Sequence, residues 1–311
     1  MKKNRIIVIG SYLVALVMDT DRIPQQGETL LARNFRQTHG GKGSNQAVQA
    51  ARLGASTGFI GFVGNDSFGH SFTDLCKTEK IDTSKIRLSN KFPTGAGFII
   101  TSADGHNIIT IDIGANLEMS NEAIDELTLE ILPGDYVLIQ MEIPVESALY
   151  AAKVAKKSGA VVILNPAPAA NLSNKDLSFI DFITPNETEA RVCCGWDLKN
   201  PISDEDAAQK LLSLGCKNVI LTLGEKGCLI LNEKGFCTIP AFRFPEIVDS
   251  TGAGDSFNAA LAVALLEDKP LPDACRFANA AAGLACTKAD TIPSYHLRKD
   301  VDTFLMNNFN N

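Results

Sequence analysis

Seven residues, Asp249-Ser250-Thr251-Gly252-Ala253-Gly254-Asp255, lead without interruption into the apolar run Ser256 to Leu266. Small residues that open a helix leave backbone N–H groups unpaired and aim the positive end of the helix dipole at one point. A phosphate binds well at such a point. Asp255 is out of place in a site that merely stores phosphate, because its carboxylate repels the ligand. A base beside the phosphate is what phosphoryl transfer to a hydroxyl calls for. Two other readings compete. Asp255 can be an acidic first-turn residue that stabilises the helix by about 0.3–1 kcal/mol. Alternatively, Gly252-Ala253-Gly254 can belong to a dinucleotide-binding turn, although the third glycine is absent and the segment lies near the C-terminus rather than opening a Rossmann unit.

A second glycine-rich segment, His39-Gly40-Gly41-Lys42-Gly43-Ser44-Asn45-Gln46-Ala47, also precedes a helical pattern. It is not a Walker A loop, since glycine rather than Ser or Thr follows Lys42. It offers close backbone approach at Gly40, Gly41 and Gly43, with Lys42 and Asn45 as donors, a combination suited to a polyhydroxylated ligand. The plain structural alternative is a turn and an N-cap.

Apolar β-type runs alternate with amphipathic helical stretches and must position these segments. Strands are expected at Gly58 to Phe62, Tyr136 to Gln140, Val161 to Leu164, Phe182 to Thr184 and Val219 to Thr222. Helices are expected at Asn45 to Leu53, Ser147 to Lys157, Glu205 to Leu214 and Ala274 to Cys286. This order implies an α/β fold, with a mostly parallel sheet and helices on both faces. Ligand sites then gather outside the carboxyl ends of the strands, just after Ile9, Gln140, Leu164, Thr184 and Thr222. Leu16 to Phe35 and Gly95 to Ile113 break the rhythm: short strands joined by turns at Gln25-Gln26-Gly27 and Ala103-Asp104-Gly105-His106 predict an antiparallel patch beside the main sheet. Such a patch can be a lid, an edge for a second subunit, or both.

The chain of 311 residues carries 45% hydrophobic and 21% charged residues with a net charge of −7, the composition of an ordinary globular protein. Without a basic stripe, nucleic acid is not an expected partner. Eight cysteines follow neither a metal-ligand nor a disulfide spacing, which points to reduced thiols and a cytoplasmic location. Lys2-Lys3-Asn4-Arg5 before the apolar Ile6 to Met18 superficially resembles a signal peptide. Gly10-Ser11-Tyr12 interrupts that run, no small-x-small cleavage site follows, and about thirteen residues are too few to span a bilayer. Ile6 to Ile9 instead reads as a buried first strand with a turn at Gly10, and no membrane is expected as a partner.

Taken together, these segments resemble the ribokinase family of carbohydrate kinases. The resemblance is carried by Gly10-Ser11, Gly27-Glu28-Thr29, Gly40 to Gln46, Gly64-Asn65-Asp66, Gly114-Ala115-Asn116, Glu142, Asn165 to Pro168, Pro185 to Glu189, Thr222-Leu223-Gly224 with Gly227, and Val248 to Phe257. It spans nearly the whole chain, and implies one kinase domain over 1–311 with a β lid at roughly 12–37 and 94–113. The implied activity is transfer of the ATP γ-phosphate to a sugar's primary hydroxyl, with ribose the first acceptor. Asp255 would be the general base, and the N–H groups of Gly252, Ala253, Gly254 and Asp255 the anion hole. Asn186 and Glu189 would organise Mg²⁺ largely through water, although the same pair can be a helix capping box. Thr222, Gly224 and Gly227 would lie along ATP, and Asn279 near the adenine. Gly41, Lys42, Asn45 and Glu142 would contact the sugar. The family often binds K⁺ behind the anion hole, where Asp249, Thr251 and the Lys288 to Ser294 segment, with Ser294, match; Asp290 stands where glycine is common. A homodimer through the lid strands is the family-based expectation.

One stretch departs from the family. Bacterial ribokinases read Gly-Ser-x-Asn-x-Asp after the first strand, whereas here Leu13 and Ala15 occupy the Asn and Asp positions. That carboxylate normally grips two ring hydroxyls, a charge-assisted bond worth about 1.5–3 kcal/mol. The departure leaves open another sugar, a deoxy-sugar or a nucleoside as acceptor, a weakened ribose site with Asp19 or water compensating, or a non-catalytic binding protein.

Overall fold

In a computed structural model of the chain, residues 4–103, 106–197, 199 and 202–308 are described. Four consecutive fully buried residues make β1 (Ile6–Ile9) the centre of the molecule, paired in parallel with β4 (Thr57–Gly64) and β8 (Tyr136–Gln140). Alternate side chains serve opposite faces: Ile6 and Val8 enter one hydrophobic cluster, Ile7 and Ile9 the other. The apolar N-terminal run therefore begins as a buried strand. At Gly10 a Cβ would stand 2.1 Å from Gln140 Oε1, so a side chain there would displace the Gln140 amide.

The main sheet has nine strands in the order β13-β12-β11-β10-β9-β8-β1-β4-β5. Its other members are β5 (Asp82–Ser89), β9 (Val161–Asn165), β10 (Phe182–Ile183), β11 (Asn218–Thr222), β12 (Cys228–Asn232) and β13 (Gly235–Ile239). Pairing is parallel from β5 to β11, and antiparallel for the β11–β12–β13 edge. One face is covered by α1 (Lys42–Arg52), α2 (Ser67–Thr78), α7 (Ala253–Leu266), α8 (Leu271–Ala285) and α9 (Arg298–Asn307). The other is covered by α3 (Asn121–Leu127), α4 (Val145–Lys157), α5 (Glu187–Cys193) and α6 (Asp204–Ser213). Among the described residues no helix is long and apolar enough to cross a membrane. All eight cysteines are free, and six are buried.

A second sheet of four strands stands apart, in the order β3-β2-β6-β7: β2 (Leu13–Thr20), β3 (Arg33–Gly40), β6 (Gly95–Ser102) and β7 (Asn107–Asp112). Its two outer pairs are antiparallel, as expected, but the pair that joins them, β2–β6, is parallel. Both strands rise from the carboxyl end of the main sheet, β2 directly after β1 and β6 after β5, so they run the same way. β3 also extends five residues beyond Phe35, to Gly40, where it meets α1. Of the expected turn before β7, Asp104 and Gly105 lie outside the described residues.

The small sheet is fastened at its base. Asp66 caps α2 by accepting from Gly69 N (2.9 Å) and also accepts from Thr94 N (2.8 Å) and Thr94 Oγ1 (2.7 Å), immediately before β6. Burial alone would raise the Asp66 pKa, but these bonds to the ionised form hold it below the ordinary carboxylate range.

Candidate active site

Gly252 adopts a left-handed conformation (φ 79°) and caps α7, which begins at Ala253, three residues before the apolar run at Ser256. The Ala253 N–H turns back onto Ser250 O (3.2 Å), leaving the N–H groups of Gly254 and Asp255 without a backbone partner among the described residues. Of the anion hole expected over Gly252 to Asp255, only the Ala253 N–H is turned away; the Gly252 N–H likewise has no partner among the described residues. A Cβ built at Gly254 meets no protein atom within 4 Å. Among the described residues no neighbouring atom accounts for this glycine, and the space beside it is open. Tyr295, fully buried, donates from its hydroxyl to Gly252 O (3.1 Å) and fixes the turn from behind.

Asp255 projects from the first turn and is 5% exposed. Consecutive residues of α1 hold both of its oxygens: Asn45 Nδ2 donates to Oδ2 (2.8 Å) and Gln46 Nε2 to Oδ1 (3.0 Å). Asn45 Oδ1 is buried and has no partner among the described residues, so it keeps an acceptor to spare beside Asp255. The α1 N-terminus is drawn in by contacts the sequence does not announce. Ser44 N donates to Ser11 O (2.9 Å), and Cβ atoms at Gly41 and Gly43 would collide with the backbone of Leu13 and Ser11. The close approach expected of these glycines is therefore made to the β1–β2 turn. At Gly40, by contrast, a Cβ would make only ordinary contacts.

Around Lys42 the carboxylates of Asp255, Glu142 and Glu189 converge. Burial depresses the Lys42 ammonium, but these three charges outweigh it and raise its pKa. Glu142 lies just past β8 and accepts from Ser11 Oγ (2.5 Å) and Lys42 N (2.7 Å); burial pushes its carboxyl up. Glu189 is raised for the same reason. Asn186 and Glu189 do form a capping box on α5: Asn186 Oδ1 accepts from Glu189 N (2.8 Å), and Glu189 Oε2 from Asn186 N (2.9 Å). Side chains committed this way reach a metal more readily through water than directly.

Thr222 ends β11 and forms an isolated bridge with Asn186, bringing these two expected residues side by side. Beyond it, Gly224 (φ 55°) has no protein atom within 4 Å of a built Cβ, whereas Gly227 (φ 98°) is crowded by Ile239 O at 2.1 Å. The first glycine leaves room for a ligand and the second answers a packing demand. Asn279, on α8, spends its amide on Ile239 O (3.2 Å) and Pro240 O (3.1 Å), securing the end of β13.

Behind the anion hole, Asp249 accepts from Thr251 N (2.8 Å) and Asp290 N (3.1 Å), while Ser294 Oγ donates to Thr291 O (2.7 Å). Each oxygen keeps acceptor capacity, and the set is all oxygen, as an alkali cation prefers. Asp290 adopts φ 66° and faces Arg36 of β3 (3.4 Å), which also faces Asp19 (3.5 Å). The loop behind the anion hole is thereby tied to the small sheet. Asp19 is committed to Arg36 and Asn34, so it does not replace the carboxylate absent at Ala15. Leu13 is buried against Gly95, and Ala15 stands opposite Thr38 with Gly40 beside it.

Sequence reading missed a layer of polar residues beneath Asp255. Gln46 also donates to Asn165 Oδ1 (3.1 Å) and accepts from Gln140 Nε2 (2.6 Å). Thr184 Oγ1 donates to Asn258 Oδ1 (2.5 Å), and Asn258 Nδ2 to Gly254 O (2.8 Å). Amides carry no spacing signature, so the one available signal was polar residues at the carboxyl ends of apolar strands.

Residues 3–298 match the pfkB family carbohydrate kinases. A ribokinase of Haemophilus influenzae is 38% identical over 309 residues, 97% of this chain and 99% of that one. The crystal structure of a ribokinase from Thermotoga maritima is similar with a TM-score of 0.89 at 36% identity, over 97% of this chain and 99% of its own. An Arabidopsis thaliana ribokinase, solved with ribose and ATP, is similar with a TM-score of 0.86 at 32% identity, over 97% of this chain and 98% of its own.

Proposed function

The chain belongs to the pfkB family of carbohydrate kinases, and on that premise we propose that it transfers the γ-phosphate of ATP to the primary hydroxyl of a pentose, ribose being the first acceptor. The observation that carries this reading is Asp255, a buried carboxylate held by two amides at a helix N-terminus whose Gly254 leaves room for phosphate. The acceptor hydroxyl loses its proton to a free lone pair of Asp255 as its oxygen attacks the γ-phosphorus; the bond to the β-phosphate oxygen breaks, and ADP leaves. The N–H groups of Gly252, Gly254 and Asp255, with the dipole of α7, stabilise charge on the transferring group. Asn45 and Glu142 orient the sugar, with Gly41 and Lys42 at its edge. Thr222, Gly224 and Gly227 line the path of ATP towards Asn279.

Asn186 and Glu189 would hold Mg²⁺ through water, and Asp249, Thr251 and Ser294 would hold K⁺. Bound Mg²⁺ would neutralise phosphate charge. The small sheet acts as a lid, formed by roughly 12–37 and 94–113 within a single kinase domain. Its apolar side chains Phe35, Phe98 and Ile108 are exposed, and a second copy of the chain covers them in a homodimer. A cytoplasmic location fits eight free thiols.

ADP release measured over ribose, deoxyribose, hexoses and nucleosides tests the acceptor, and titration with Mg²⁺ and with K⁺ against Na⁺ tests both ions. Turnover with none of these acceptors would sink the proposal. Asp255→Asn is expected to lower kcat by about 10²–10⁴-fold while ATP binding persists.

A further inference from the structure

Asp255 is gripped from two sides that differ in what lies behind them. Asn45 is 4% exposed and keeps its amide oxygen unpartnered among the described residues; Gln46 is 0% exposed and reaches Asp255 from within the protein. Both amide hydrogens of Gln46 are used, one on Asp255 Oδ1 (3.0 Å) and one on Asn165 Oδ1 (3.1 Å), and its oxygen accepts from Gln140 (2.6 Å). The orientation is not free. A flipped Gln46 would point its oxygen at two acceptors and its NH₂ group at a donor. Asn165 is in turn set by donating to Thr184 O (3.3 Å).

We propose that Gln46 is a positioning residue for phosphoryl transfer: donating from the protein interior, it fixes Oδ1 of Asp255 and turns the carboxylate's free lone pairs to the acceptor hydroxyl. This rests on Asp255 being the base. A hydrogen bond to the charged form of an acid favours that form, and one made in a buried site is worth more than the same bond in water. Gln46 supplies that bond without adding charge. The charged and titratable groups around Asp255 come from four other places: Lys42 on α1, Glu142 after β8, Glu189 on α5 and Tyr295 beyond α8. Two are carboxylates, one is an ammonium and one is a phenol. Their balance makes a neutral donor on Oδ1 consequential.

The test is the pH profile of kcat/KM for ribose in Gln46→Met and Gln46→Glu, with Asp255→Asn measured in parallel and thermal melting to verify folding. Gln46→Met removes the donor at nearly constant volume. Its acid limb should move up by about one pH unit, with kcat at pH 6 down about tenfold or more and KM for ribose changed less than about threefold. Gln46→Glu keeps the shape but lets two carboxyls share a proton, which should move the limb further up. If either folded variant keeps the wild-type acid limb, whatever its rate, the positioning role is wrong. If Asp255→Asn turns over normally, the assignment of the base fails instead, and that result is read independently of Gln46.

Discussion

Individual side chains at this site serve function at a cost to the fold. Glu142 shows it through pH. Burial raises its folded pKa above the unfolded value, so the folded state binds the proton more tightly, and stability declines as pH rises from the unfolded value through the folded one. Glu142→Gln abolishes that decline and retains an oxygen for Ser11 Oγ and Lys42 N. The variant should melt about 2–4 °C higher at pH 7 and show a KM for the sugar raised about tenfold or more. Calorimetry and steady-state kinetics on one preparation check both. Gly254 makes the complementary case. A Cβ there meets no neighbouring atom and alanine favours a helix over glycine by about 1 kcal/mol, so Gly254→Ala should be as stable as the parent or more so. Its kcat/KM for ATP should nevertheless fall about a hundredfold, because the methyl fills the space of the transferring phosphate. A variant that is stable and fully active would remove the phosphate from this position.

At the scale of elements, the small sheet buries Leu13, Val14 and Val17 of β2 and is fastened at its base by polar contacts. Asp66 joins α2 to the start of β6 by three hydrogen bonds. Asp66→Ala should lower unfolding free energy by about 2–3 kcal/mol, read as a shifted urea midpoint. It should also raise KM for the sugar, because the lid loses its footing. Much of the element order was legible in the chain. Ile6 to Ile9 announced a strand buried on both faces, and Tyr136 to Gln140 another strand, both at the observed limits. The start of α1 at Lys42 was not legible, since Gly43 and Ser44 are poor helix formers until the β1–β2 turn receives them. Nor was the parallel pairing of β2 with β6, which follows from where both strands leave the main sheet.

For the whole molecule, the prediction concerns association. Phe35, Phe98 and Ile108 expose apolar surface on the small sheet, and monomeric proteins seldom leave such surface in one patch. Light scattering should report a dimer, and Phe98→Asp with Ile108→Asp should yield a monomer; an unchanged mass would place the interface elsewhere. Legibility at this scale was uneven. The phosphate turn and the glycine segment before α1 could each be recognised, but that Gln46, Gln140 and Asn165 meet beneath Asp255 is a product of folding alone.

That meeting also has a history in time. Asn45 and Asp255 are separated by 210 positions. At about 5–20 residues per second, the ribosome completes α1 some 10–40 s before the residue it must hold. Until then, the face of β1 that α1 and α7 later cover together lacks its second helix. An emerging chain therefore carries an open apolar seam through most of its synthesis, and it is during this interval that a chaperone would find it.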